Sequence, residues 1–361
     1  MSKTINSNRR SFLTTMAGTL AAPQLGTIGC TTQHNSSGAA ELPIEGELPS
    51  LNGAIAFNSQ PLTIDELRGN VVLINFCTYT CINWLRQLPY VRAWSETYQD
   101  QGLVVIGVHT PEFEFEKNIN NVRRALTDIN VDYEIAIDND YAIWRVFGNH
   151  YWPALYFIDA QGRIRHYHFG EGDYERSERV IQQLLSESGA NSVGQELVDV
   201  EAHGVEIAAD WDNLKSPENY LGYDRTQNFA SPGVVLNNPH IYNAPTPLQR
   251  NHWALSGDWT IGRQAVALNH PGGRISYRFH ARDLHLVMGP AERGTSVRFR
   301  VLLDGQPPLI AHGFDINERG EGTVTEQRLY QLIRQSQPIS DRQFEIEFLD
   351  AGVETFAFTF G

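Results

Sequence analysis

Two uninterrupted apolar runs, VVLINF (71–76) and LVVIGV (103–108), flank the segment INWLRQLPYVRAWSETYQDQG, where Leu85, Leu88, Val91, Trp94 and Tyr98 recur at helical spacing. A strand that is apolar at every position has no polar face to give to water, so it is buried on both sides. Two such strands joined by one helix make a parallel crossover, which commits this half of the chain to an α/β sheet. The surrounding pattern extends it. TIDELRG reads as a short helix ending at Gly69, and Pro89 predicts a kink in the crossover helix. EKNINNVRRALTDIN (116–130) predicts a helix, YEIAID (133–138) a strand and YAIWRVFG (141–148) a short helix. ALYFID (154–159) and RIRHYHFG (163–170) form a hairpin around Ala-Gln-Gly, and YERSERVIQQLLSES (174–188) closes as an amphipathic helix. The order is β-α-β-α-β-α-β-β-α, with parallel crossovers first and an antiparallel hairpin last.

After Ser188 the texture changes to short alternating strands separated by turns, among them WALSGDWTI, GGRISYRFHA, DLHLVMG, SVRFRVLLDGQ and RQFEIEFLDAG. This half predicts an all-β sandwich, jelly-roll-like, in which only QRLYQLIRQ reads as helical. Trp211, Trp253, Trp259, Tyr220, Tyr223 and Tyr242 have flat apolar faces that suit sugar stacking, but sandwich core is the more frequent use of such residues. The 361 residues suffice for two cores. The expected division is 51–188 for the α/β domain, a linker over 189–210, and 211–361 for the sandwich.

The N-terminus reads as an address. NRRSFLTTMAGTLAA places Arg9 and Arg10 before a short, weakly apolar stretch, the pattern of a Tat export signal over residues 1–30. GTIGC resembles a lipobox, which would make Cys30 a lipid attachment point, with a polar tether over 31–50. The expected location is periplasmic or cell-envelope, with membrane contact only through that anchor. A net charge of −14 with no basic stripe excludes nucleic acid as a partner. Three cysteines, Cys30, Cys77 and Cys81, make no disulfide framework.

Cys77 and Cys81 lie where the first buried strand meets its helix, in NFCTYTCINW. The stretches VVLINFCTYTCINWLRQLPYV, GLVVIGVHTPEFEFE, IDNDYAIWRVFGNHYWPALYFIDAQGRIRHYHFGEGDYE, PENYLGYDR, HWALSGDW and GVETFAFTFG resemble the thioredoxin superfamily, in its TlpA/redoxin branch. More narrowly they resemble the soluble C-terminal region of DipZ-type proteins, a thioredoxin-like domain followed by a carbohydrate-binding-module-like β-sandwich. The resemblance implies disulfide exchange through a C-x-x-C pair. Here Trp84 stands where the second cysteine is usual, and Cys77 stands where the family has tryptophan.

Cys81, at a helix N-terminus, is the candidate nucleophile, with a thiol pKa expected to be lowered by the helix dipole. Three outcomes stay open: Cys81 working alone with an external thiol on protein disulfides or peroxide, Cys77 serving as a relocated resolving thiol, or a retired site on a binding scaffold. In the scaffold reading the sandwich engages a glycan or a protein partner. By resemblance, Pro153 is a cis-proline facing the active thiol, and Trp152 beside it belongs to the substrate-docking loop. Trp84, Trp152 and Glu112 are assigned to the substrate side, Glu112 as a possible proton relay. His109 and His150 raise the question of a metal, but the spacing of Cys77 and Cys81 is out of phase with copper-delivering relatives of this fold. No metal and no cofactor are expected.

Overall fold

The structure, a computed structural model, describes residues 41–52, 55–56, 63–190 and 193–361. The expected export signal and Cys30 lie outside the described residues.

The first domain contains, in chain order, β1 (Gly46–Glu47), β2 (Ile55–Ala56), α1 (Ile64–Leu67), β3 (Val71–Cys77), α2 (Ile82–Tyr98), β4 (Leu103–His109), α3 (Ile119–Asp128), β5 (Glu134–Ile137), α4 (Ala142–Val146), β6 (Ala154–Ile158), β7 (Arg163–Phe169) and α5 (Tyr174–Glu187). Its seven strands run β1-β7-β6-β3-β4-β5-β2. β3 and β4 pair in parallel from Val71–Leu103 to Cys77–His109, whereas β6 lies antiparallel on the other side of β3. β3 is buried at all seven positions, as its unbroken apolar run requires. Residues 46–47, read from sequence as tether, are instead an edge strand on β7.

The second domain contains β8 (Asn219–Tyr220), β9 (Pro239–Tyr242), β10 (Trp253–Ile261), β11 (Val266–Leu268), β12 (Arg274–Phe279), β13 (Asp283–Pro290), β14 (Val297–Leu303), β15 (Glu321–Val324), β16 (Arg328–Arg334), β17 (Arg342–Phe348) and β18 (Val353–Phe360). All their ladders are antiparallel, in a sheet that curls on itself in the order β15-β14-β17-β12-β10-β11-β18-β13-β16. β10 serves both halves: residues 253–256 pair with β12, and residues 257–261 pair with β9 and β11. The change falls at Gly257, whose φ of +99° and 2.9 Å approach of a would-be Cβ to the Gly273 backbone leave no room for a side chain. Trp253, Trp259 and Tyr242 are core, while Trp211 is 60% exposed.

QRLYQLIRQ is a strand, not a helix. Its residues Leu329, Tyr330, Leu332 and Ile333 are all buried, and they divide between two cores. A strand apolar on both faces cannot be told from a buried helix by periodicity.

One of those cores crosses the domain boundary. Val287, Leu329, Phe356 and Ala357 from the outer face of the second sheet join the cluster built on β3, α2 and β4. Phe356 packs its ring 5.2 Å from that of Phe113 and 4.6 Å from that of Phe115. The expected linker is also docked: the Val198 N–H donates to Glu178 at 2.8 Å, and Arg92 pairs with Glu206 at 2.8 Å. The described residues from Leu42 to Gly361 form a single compact unit. Phe356→Ala is therefore expected to cost about 3–5 kcal/mol in urea unfolding and to speed proteolytic nicking between the domains. A loss below about 1 kcal/mol would show that Phe356 does not hold the two together.

Candidate functional site

Cys81 is the N-cap residue of α2. The preceding Thr78–Thr80 segment turns tightly, so that the Cys81 N–H donates to the Thr78 carbonyl at 3.1 Å. The thiol is half-buried, and its Sγ lies 3.9 Å from the Trp152 carbonyl oxygen. The Trp152–Pro153 peptide is cis. Trp152 is anchored by its indole N–H, which donates to the Thr110 carbonyl at 3.0 Å, and by ring contact with Trp144 at 4.2 Å. The structure thus brings Cys81, Trp152 and Pro153 together.

The thiol pKa is raised well above its ordinary value, contrary to expectation. Burial is the main cause, followed by the negative charges of Glu218 and Glu112. The N–H groups of Trp84 and Asn83 at the helix start pull the other way and are outweighed. The Glu112 charge acts on the thiol, and Glu112 is not a solvated loop acid. Its side chain is 9% exposed, and one carboxylate oxygen accepts from the Tyr220 hydroxyl at 2.6 Å and from Arg225 at 2.8 Å. The Arg225 guanidinium also lies 3.5 Å over the Tyr220 ring. Glu218, Tyr220 and Arg225 all belong to PENYLGYDR in the second domain. In the sequence that segment stood out through the resemblance and through the sugar-stacking faces of Tyr220 and Tyr223, and nothing in its composition signalled a site more than a hundred residues upstream.

Cys77 and Trp84 lie elsewhere. Both described cysteines are free thiols, but Cys77 ends β3 fully enclosed, and burial pushes its thiol strongly up. Trp84 is equally enclosed. Its indole N–H donates to the Asn75 side chain at 2.9 Å, and Asn75 donates to Gln87 at 2.8 Å. The tryptophan in the second-cysteine position therefore pins α2 to β3 and offers no surface to a substrate, which corrects its assignment to the substrate side. His109 is buried and stacked on Tyr79 at 5.7 Å, and burial lowers its pKa to about 4, so it is neutral. Among the described residues no group of three or more His, Cys, Asp or Glu side chains is placed to hold a metal ion.

A second carboxyl escaped the sequence reading. Glu116, the last acid of PEFEFE, is fully buried beneath the cysteine loop. It accepts from the Thr80 hydroxyl at 2.5 Å and from the N–H groups of Glu112 and Phe113 at 2.6 and 2.8 Å. Burial raises its pKa from 4.5 to about 7. An acid raised on folding contributes stability that is present below its unfolded pKa and lost as pH rises through the folded one. The melting temperature should therefore fall between about pH 4.5 and 7. Glu116→Gln should flatten that decline, because its amide oxygen can accept the two N–H bonds while its nitrogen donates to Thr80. An unchanged pH profile in calorimetry would contradict this assignment.

Residues 45–167 match the AhpC/TSA family, and residues 216–361 match the family described as thioredoxin like C-terminal domain. Protein DipZ of Mycobacterium bovis is 37% identical over 279 residues, covering 76% of this chain and 39% of DipZ. Thiol-disulfide oxidoreductase YkuV of Bacillus subtilis is 29% identical over 142 residues, covering 39% of this chain and 95% of YkuV. Thiol-disulfide oxidoreductase ResA of Bacillus thuringiensis is 21% identical over 123 residues, covering 34% of this chain and 68% of ResA. The chain spans well under half the length of DipZ. The two family matches fall on the two domains, with the cysteine loop inside the first, and the chain belongs to the thioredoxin superfamily, in its redoxin branch.

Proposed function

We propose that the chain is an exported thiol-disulfide oxidoreductase that works through one nucleophilic thiol, Cys81. The observation that carries this reading is the contrast between the two described cysteines. Cys81 reaches the surface at a helix N-terminus beside the Trp152 carbonyl, whereas Cys77 is sealed in β3. In the reaction, Glu112 takes the thiol proton and the Cys81 thiolate attacks one sulfur of a protein disulfide. The S–S bond breaks, and the departing thiolate is protonated. An external thiol then attacks the Cys81 sulfur of the mixed disulfide and releases the second substrate thiol. A further external thiol frees Cys81, so that one substrate disulfide is reduced and one external disulfide is formed. The match to the AhpC/TSA family favours a second use, in which the same thiolate is oxidised by peroxide to a sulfenic acid and restored by two external thiols.

Arg9 and Arg10 support export, and GTIGC supports a lipid anchor at Cys30. Among the described residues no helix is long and apolar enough to cross a membrane. The raised pKa of Cys81 favours the alternative of a non-catalytic binding protein, and one experiment separates the two.

The rate of iodoacetamide alkylation of Cys81 is expected to be low at neutral pH and to climb above the free-thiol range of about 8.5. Glu112→Gln and Glu218→Gln should each move its midpoint down, since each removes a negative charge that raises the thiol pKa. Cys81→Ser should abolish reduction of a disulfide peptide by added thiol, and Cys77→Ala should retain it. Loss of activity in a folded Cys77→Ala protein would replace the single-thiol reading with a relocated pair. A Cys81 that resists alkylation through about pH 10 would leave the binding protein as the answer.

A further inference from the structure

We propose that the cleft between the two domains is a docking groove for an extended polypeptide segment bearing a basic side chain, and that Glu354 reads that charge. The inference rests on the disulfide-reductase reading and names the class of substrate that such a thiol would serve.

A cavity of about 760 Å³ opens between the start of α3 and the outer face of β10, β11 and β18. Phe115, Ala265, Ala267 and Phe356 give it apolar lining, and Glu354 lies among them. A smaller cavity of about 170 Å³ is lined by Glu112, Tyr220 and Arg225. The two adjoin at Arg263 and Gln264, which line both, and the smaller one contains the Glu112 carboxylate whose charge acts on the Cys81 thiol. The larger cavity falls within the range of about 300–1,000 Å³ typical of ligand sites, and because it is open to solvent it can take a chain segment that continues past it.

Among the described residues the charges lining the two cavities are matched, with one exception. Arg263 pairs with Asp224 at 2.9 Å, Arg225 with Glu112 at 2.8 Å and Glu114 with Lys117 at 2.8 Å. Glu354 is half-buried on β18, and among the described residues its carboxyl takes part in no hydrogen bond or ion pair. Burial alone raises its pKa. A half-buried acid with no counter-charge, set among apolar side chains in an open groove, is complementary to a lysine or arginine whose aliphatic stem can lie on Phe115 and Phe356.

The test uses fluorescein-labelled ten-residue peptides of alternating apolar and polar residues, with Lys, Gln or Glu at the central position. Binding to the full chain carrying Cys81→Ser is followed by fluorescence anisotropy in about 0.1 M salt. The Lys peptide is expected to bind about fivefold or more tighter than the Gln peptide, and the Glu peptide most weakly. Glu354→Gln should remove the Lys preference, and Glu354→Arg should reverse it in favour of the Glu peptide. That reversal also guards against mere loss of fold, which would abolish all binding. Equal affinity for the three peptides, no binding by any of them, or a Lys preference that survives Glu354→Gln would overturn the proposal. Because the assay lacks the Cys81 sulfur, it is blind to failure of the catalytic reading, which the alkylation of unsubstituted protein reports separately.

Discussion

The buried guanidinium of Arg86 is where the two domains of this chain become one object. It projects from α2, pairs with Glu171 after β7 at 3.0 Å and donates to the Phe360 carbonyl of β18 at 2.9 Å. Both charged side chains are almost fully enclosed, at 2% and 7% exposure. Such a pair stabilises only while it is intact, since deleting one member strands the other charge without water. The helix whose N-terminus carries the thiol is thereby fixed to the last strand of the second sheet. Phe356, four residues earlier on that strand, packs on the phenylalanines beside Glu112. The geometry around Cys81 follows from how that sheet is seated.

Seen this way, the acid next to the thiol belongs to both domains. Glu112 comes from the loop after β4, but its hydrogen-bond partners come from the segment around β8. Tyr220 and Arg225 fix the orientation of the carboxylate and compensate part of its charge. The remaining negative field, together with enclosure, keeps the Cys81 sulfur protonated in the resting protein.

The α/β half was legible because its strands are buried on both faces, which leaves an unbroken apolar signature in VVLINF and LVVIGV. The same property misled in QRLYQLIRQ, where burial on two sides made a strand imitate a helix. Cys81 and Pro153 were singled out through local pattern and resemblance, since both lie in short stretches with their own chemistry, and the structure places them on facing loops. Trp84 was assigned to the surface because a sequence shows neighbours along the chain and not the Asn75 amide its indole meets across the β3–α2 interface. Glu116 was indistinguishable from Glu112 and Glu114 in PEFEFE, although it alone points beneath the loop. Tyr220, Arg225 and Glu218 were out of reach for a simpler reason: their roles arise only from tertiary docking.

That docking bears on how such a protein can be divided and recombined. A boundary drawn at the end of α5 looks clean along the chain. Cutting there would bare Phe113 and Phe115 to solvent and leave the Glu112 carboxylate without its tyrosine and arginine. The excised first domain would keep its cysteine but change its acid–base character and gain a sticky apolar face. Gene fusion and domain shuffling treat thioredoxin-like units as portable cassettes. In this chain the cassette has been customised to its neighbour, so the two halves form one heritable unit of chemistry.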